Sequence, residues 1–139
     1  YKIYDLPVLN FVFRTAGTVP IAGRNEDLLI YDAAFKKIAE YLRNGELVCI
    51  FPEGKLTGDG EINEFKAGIE RIIEENPVPV IPMALRGLWG SFFSRDPRKG
   101  LFKRLWSRVC LVAGAPLAPE LARREALQAQ VAELRGDWR

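Results

Sequence analysis

Leu47-Val48-Cys49-Ile50-Phe51-Pro52-Glu53-Gly54 decides how the chain is read. Leu47 to Phe51 are consecutive apolar residues bounded by Glu46 and Pro52. So short an apolar run, closed by a proline, predicts a strand buried on both faces, as in a parallel sheet. Just upstream, Asn25 and Asp27 offer helix caps. Leu28, Tyr31, Phe35, Ile38 and Leu42 then recur at three- and four-residue spacings that gather them on one helical face. Asn44-Gly45 supplies a left-handed stop. A helix followed by a buried strand is half of a βαβ unit.

Downstream, the polar, glycine-rich stretch from Gly54 to Gly60 reads as a loop. Asn63 to Glu75 reads as a helix with Phe65, Ile69, Ile72 and Ile73 inward, stopped by Asn76-Pro77. Val78 to Leu85 is a strand whose prolines need edge or bulge positions. Val109 to Ala113 is a further strand, and Leu121 to Arg135 an amphipathic helix with Leu127, Val131 and Leu134 inward. At the other end, Pro7 divides residues 1–16 into a turn and a short helix ended by Gly17, and residues 18–22 form a strand weakened by Pro20. The alternation predicts an α/β fold, with a mixed, largely parallel sheet flanked by helices.

The 139 residues, 48% of them apolar, suffice for one core, and no linker divides them. A net charge of +2 is too mild for a nucleic-acid partner. Cys49 and Cys110 lie inside apolar runs, where a cysteine reads as a small buried hydrophobe rather than a metal ligand or half of a disulfide. The absence of histidine removes the commonest general base near neutral pH and the commonest transition-metal ligand. No metal site is expected. No run approaches the roughly 18 to 20 apolar residues of a membrane-spanning helix, and no signal-peptide pattern opens the chain.

Phe51-Pro52-Glu53-Gly54 falls where a buried strand would end and a polar loop begin, the place where α/β sheets gather ligands. A proline-glycine turn with a solvated glutamate is the competing reading. Residues further along the chain strengthen the motif: Gly58, Gly60, Phe65-Lys66 and Gly68, then Val78-Pro79-Val80-Ile81-Pro82. In this order and spacing the chain resembles the downstream part of the glycerol-phosphate and lysophospholipid acyltransferase family. Upstream, Lys2 through Leu6-Pro7 to Gly17-Thr18-Val19-Pro20-Ile21 resembles that family's helix and the strand bearing its second motif. The likeness extends over about residues 1–115.

The resemblance implies O-acyl transfer to a glycerophospholipid. A histidine, with an aspartate four residues on, takes the proton of the acceptor hydroxyl, and the oxygen attacks an acyl thioester. That pair is absent, so no catalytic residue is assigned here. The expectation is a partial acyltransferase domain over residues 1–139, its N-terminal part missing and the piece itself inactive. Arg24, one residue displaced from the family's second motif, is expected to hold the acceptor's phosphate, or else to be a solvated arginine. Glu53 and Gly54 resemble the acceptor-binding pair, with Phe51 and Pro52 as motif residues. Glu53 would accept a hydrogen bond from a glycerol hydroxyl or hold a cation in place. The family's threonine, arginine and serine are replaced by Lys55, Leu56 and Thr57, of which Lys55 and Thr57 join the expected site. Lys66 is a further phosphate candidate against a solvated-lysine reading. Val80, Ile81 and Pro82 resemble the acyl-site strand, with core packing as part of their role, and Arg86 is a candidate phosphate contact.

Trp89, Phe92, Phe93, Phe102 and Trp106 interleave with Arg95, Arg98, Lys99, Lys103, Arg104 and Arg108. That mixture suits the bilayer interface, and equally an aromatic core corner with a basic rim. The patch also resembles acyltransferase domains fused behind a transporter that reacylate lysophosphatidylethanolamine. The implied partners are a lysophospholipid or glycerol phosphate, acyl-CoA or acyl carrier protein as donor substrate, and a membrane surface. No cofactor is implied, and the implied location is the cytoplasmic face of a bacterial inner membrane. A non-catalytic lipid-binding or membrane-docking module is the alternative. A nucleotide-phosphate loop at Gly54 to Gly60 lacks both the Walker ending and the dinucleotide glycine pattern.

Overall fold

The computed structural model describes residues 17–21, 23, 26–55, 57–89 and 108–137. The chain divides into two compact units, residues 1–49 and 50–139. In the first, helix α1 spans Leu28–Arg43. Asp27 is extended, and its carboxylate accepts the Ile30 N–H at 3.0 Å, satisfying one of the donors a helix start leaves over. Phe35 and Ile38 are buried as their spacing predicts, joined by Ala34 and Ala39. Leu28 is exposed, because at the first helical position it projects past the covered part of the stripe. Asn44 caps the end and Gly45 follows at φ +77°. Residues 18–21 form no strand: Pro20 offers no ladder donor, and no strand among the described residues pairs with them. The expected helix in residues 1–16 lies outside the described residues.

The decisive run takes a different form from the one expected. Residues 47–51 join no ladder among the described residues. Leu47, Cys49 and Phe51 are exposed while Val48 and Ile50 are half-buried, an alternation that covers one face instead of two. The boundary between the units falls inside this run, after Cys49. Cys49 and Cys110 are both free and exposed, correcting the expectation of buried thiols. An apolar neighbourhood in sequence buries a cysteine only where a second layer lies over that face.

In the second unit, helix α2 spans Gly68–Glu75, strand β1 Met83–Arg86, strand β2 Cys110–Ala113 and helix α3 Arg124–Arg135. A 3-10 turn at Pro119–Leu121 precedes α3. The two strands pair antiparallel, Met83 opposite Ala113 and Arg86 opposite Cys110, so the sheet seen here is not parallel. The expected strand over residues 78–85 is broken by its prolines into β1 and an isolated antiparallel bridge between Val80 and Leu117. Pro82, which cannot donate, still accepts the Gly114 N–H at 2.9 Å. Phe65, Ile69, Ile73, Ala122 and Leu127 form the core, with Ile50, Ile62, Val80, Leu117 and Val131 packed around it. This core places α2 and α3 against the loop that carries the motif.

Helix α2 begins at Gly68, not at Asn63. The first backbone donor of a helix starting at Asn63, the Lys66 N–H, is taken by the Pro52 carbonyl, while the Asn63 and Phe65 N–H groups bond to Glu53 and Gln128 Oε1. Helix α3 likewise starts later than Leu121, which is exposed at the 3-10 turn.

Candidate functional site

Phe51 to Lys66 is a loop tied across its base. Pro52 and Glu53 are the central residues of a turn in which the Gly54 N–H donates to the Phe51 carbonyl at 3.1 Å. Proline favours the first central position because its φ is already set. Gly54 follows at φ +66°, a conformation that side chains rarely adopt. A Cβ there would meet the Lys66 stem at 3.6 Å, an ordinary contact, so the backbone angle is what requires glycine. Lys66 N–H closes the base on the Pro52 carbonyl at 2.8 Å.

The Glu53 carboxylate has a specific job within the loop. Its Oε2 accepts both the backbone N–H of Asn63, at 2.6 Å, and the Asn63 amide, at 3.0 Å. This answers the solvated-glutamate reading: the carboxylate is half-buried and binds the two arms of the loop together. At the tip, Thr57 Oγ1 donates to Asp59 Oδ1 at 2.8 Å and accepts the Gly60 N–H at 3.0 Å. Asp59 Oδ1 accepts the Glu61 N–H at 2.9 Å. Thr57 therefore shapes the tip. Compact loops of this kind, packed by their own side chains, are frequent functional elements.

Gly60 is the most confined point of the loop. Its φ is +89°, and a Cβ there would lie 2.8 Å from the Trp89 ring, closer than real contacts permit. Its carbonyl accepts Arg135 Nη1 at 2.9 Å, while Arg135 Nη2 pairs with Glu61 at the same distance. Trp89, expected at a bilayer interface, thus lies half-buried over the loop. Arg86, expected to meet phosphate, turns its guanidinium instead to the Leu134 carbonyl at the end of α3. A cation there satisfies a carbonyl that the helix leaves over and complements the helix dipole.

Lys55 and Lys66 are exposed on the two arms of the loop near its base. In the family-like strand, Val80 packs against the core and Pro82 is buried, while Ile81 is exposed. Met83 and Leu85 alternate with it, and Leu111 stands opposite Leu85, so one side of the ladder carries an exposed apolar row. Arg24, Phe92, Phe93, Phe102 and Trp106 lie outside the described residues.

Sequence reasoning missed Asn63, Gln128 and Arg135. Asn63 was legible in principle, as a polar residue where the expected helix would begin. Gln128 and Arg135 carried no signal, since each acts on a partner far away in the chain. A separate open cavity of about 230 Å³ is lined by Ile73, Pro77, Pro119 and Ala122 together with Glu70, Glu74, Glu120 and Arg123. Among the described residues no cluster of three or more metal-ligating side chains occurs, and no helix is long and apolar enough to cross a membrane.

The crystal structure of the 1-acyl-sn-glycerophosphate acyltransferase PlsC from Thermotoga maritima matches with a TM-score of 0.66 at 24% identity, over 95% of this chain and 50% of that one. The chain belongs to the acyltransferase family, whose model matches residues 2–86. It is 32% identical over 85 residues to the chloroplastic 1-acyl-sn-glycerol-3-phosphate acyltransferase of Brassica napus, covering 61% of this chain and 24% of that protein. Against the chloroplastic 1-acyl-sn-glycerol-3-phosphate acyltransferase of Arabidopsis thaliana it is 29% identical over 85 residues, 61% of this chain and 23% of the other. The chain thus spans about a quarter of the length of these relatives.

Proposed function

We propose that this chain supplies the acceptor-binding part of an enzyme that moves a fatty acyl group from acyl-CoA or acyl carrier protein to a hydroxyl of lysophosphatidate, another lysophospholipid or glycerol phosphate. The acceptor oxygen forms the new ester bond, the carbon–sulfur bond of the thioester breaks, the thiolate leaves, and the hydroxyl proton passes to a base. With no histidine in these residues, that base comes from outside them, and the 139 residues alone are inactive.

The observation that carries this reading is the tied loop Phe51 to Lys66, inside the family-matched residues and built on Glu53 and a glycine at positive φ. A loop held at its base presents its ligand groups with little ordering left to do on binding. Lys55 and Lys66 supply cations for an acceptor phosphate, and Gly54 lets the backbone approach it. Glu53 acts by fixing the loop. The apolar row Ile81, Met83, Leu85 and Leu111 supports a place for the acyl chain, and it extends the expected acyl-site strand into β1. Parallel strands beside this ladder, a membrane-surface role for Phe92, Phe93, Phe102 and Trp106, and action at the cytoplasmic face of a membrane belong to the same reading.

The test is thioester turnover by the native-length protein with a panel of lysophospholipids and glycerol phosphate, run beside Glu53→Ala and this 139-residue chain. Turnover by the long form and its loss in both others is the expected result. A long form that is folded, binds lysolipid and consumes no thioester would replace the enzyme by a lipid-binding module.

A further inference from the structure

We propose that Arg135, on a helix outside the family-matched residues, is a positioning residue for the acceptor loop. The inference rests on the acyltransferase reading of that loop. Three observations converge on it. Arg135 donates to the Gly60 carbonyl at 2.9 Å and pairs with Glu61 at 2.9 Å, so one guanidinium holds two successive residues of the loop. Gly60 is also closely packed, since the Trp89 ring occupies the space a Cβ would need. Gln128, two turns earlier on α3, holds the far arm through the Phe65 N–H at 3.0 Å.

The end of α3 is itself anchored, because Arg86 at the end of β1 binds the Leu134 carbonyl. The chain of contacts therefore runs from β1 through the last turn of α3 to the loop. Arg135 is the link that reaches the motif. Its side chain is 19% exposed, against 42% for Glu61. A planar fork reaching two acceptors in fixed directions is a task for arginine that lysine performs only in part.

In the native-length protein, Arg135→Ala is expected to raise the acceptor KM about tenfold, as loss of a charge-assisted hydrogen bond to a loop implies. kcat should stay within about twofold and the thioester KM should not move. Arg135→Lys should recover part of the loss. Amide hydrogen exchange is the second readout: Gly60 and Glu61, whose N–H groups bond within the loop tip, should exchange faster in the alanine variant, with the α2 and α3 amides unchanged. An unchanged acceptor KM, or kcat falling in step with the folded fraction, overturns the proposal. A parent protein that turns over no thioester removes the enzymatic reading alone. Exchange at Gly60 and Glu61 then decides whether Arg135 holds the loop.

Discussion

Helix α1 carries its own start, with Asp27 extended ahead of it and its carboxylate on the Ile30 N–H. Lys37 and Glu40 pair along its surface at 2.9 Å, and Lys37 also lies over the Tyr41 ring. Helix α2 has no capping side chain: Ala67 at its N-cap is already helical in conformation, and the donors before it are held by Pro52, Glu53 and Gln128. The first helix begins where neighbouring residues allow. The second begins where distant residues release the backbone. A helix start imposed from outside couples the loop before it to whatever supplies those partners, here the motif turn and α3.

The contrast between the two helices breaks most visibly at Phe65, 4% exposed at the centre of the second unit's core. Phe65→Ala is expected to cost about 3–5 kcal/mol in urea unfolding of that unit. α1 should keep its amide protection, and loss of protection in both helices at once would show that their starts are not independent. Gln128→Ala leaves the Phe65 N–H without its acceptor and should cost about 1–3 kcal/mol. Its particular signature is faster exchange at Phe65 and Lys66. Were those amides to stay protected, the start of α2 would not be set by α3. Asp27→Ala should cost about 1 kcal/mol, seen as fraying of the first turn of α1, with no change in the second unit.

The smallest effect belongs to Glu125 in the first turn of α3. Its own backbone N–H, and then the Arg124 guanidinium beside it, hold its carboxyl below the ordinary value of 4.5. A lowered folded pKa stabilises above the unfolded pKa, and that stability is lost as pH falls through the folded value. Glu125→Gln should therefore lower α3 stability slightly near neutral pH, and the difference should vanish in acid. Both carboxylate and arginine are surface groups, so a large effect would argue against a purely local pairing.

The backbone turn of the candidate loop was readable from residue order. Phe51-Pro52-Glu53-Gly54 marked the turn, because proline and glycine state backbone angles directly. Asn44-Gly45 marked the end of α1 for the same reason, and Asp27 marked its start because a short carboxylate accepts a free N–H of the first turn. What Glu53 does was not readable: a carboxylate after a proline looks solvated until Asn63 is brought against it. Nor was it readable that the Trp89 ring packs against Gly60 or that the Arg86 guanidinium donates to the Leu134 carbonyl at the end of α3.

By itself the sequence determined the local states: which residues cap, which turn, which stripes are apolar, and the family-like spacing that points to acyl transfer. These depend on interactions within a few residues, where geometry is nearly constant. Only the tertiary structure decided that Leu47 to Phe51 is covered on one face, that α2 starts at Gly68, that β1 and β2 run antiparallel, and that Arg135 reaches Gly60. Each of these depends on which distant donor, acceptor or apolar layer arrives, and short-range pattern carries no record of that arrival.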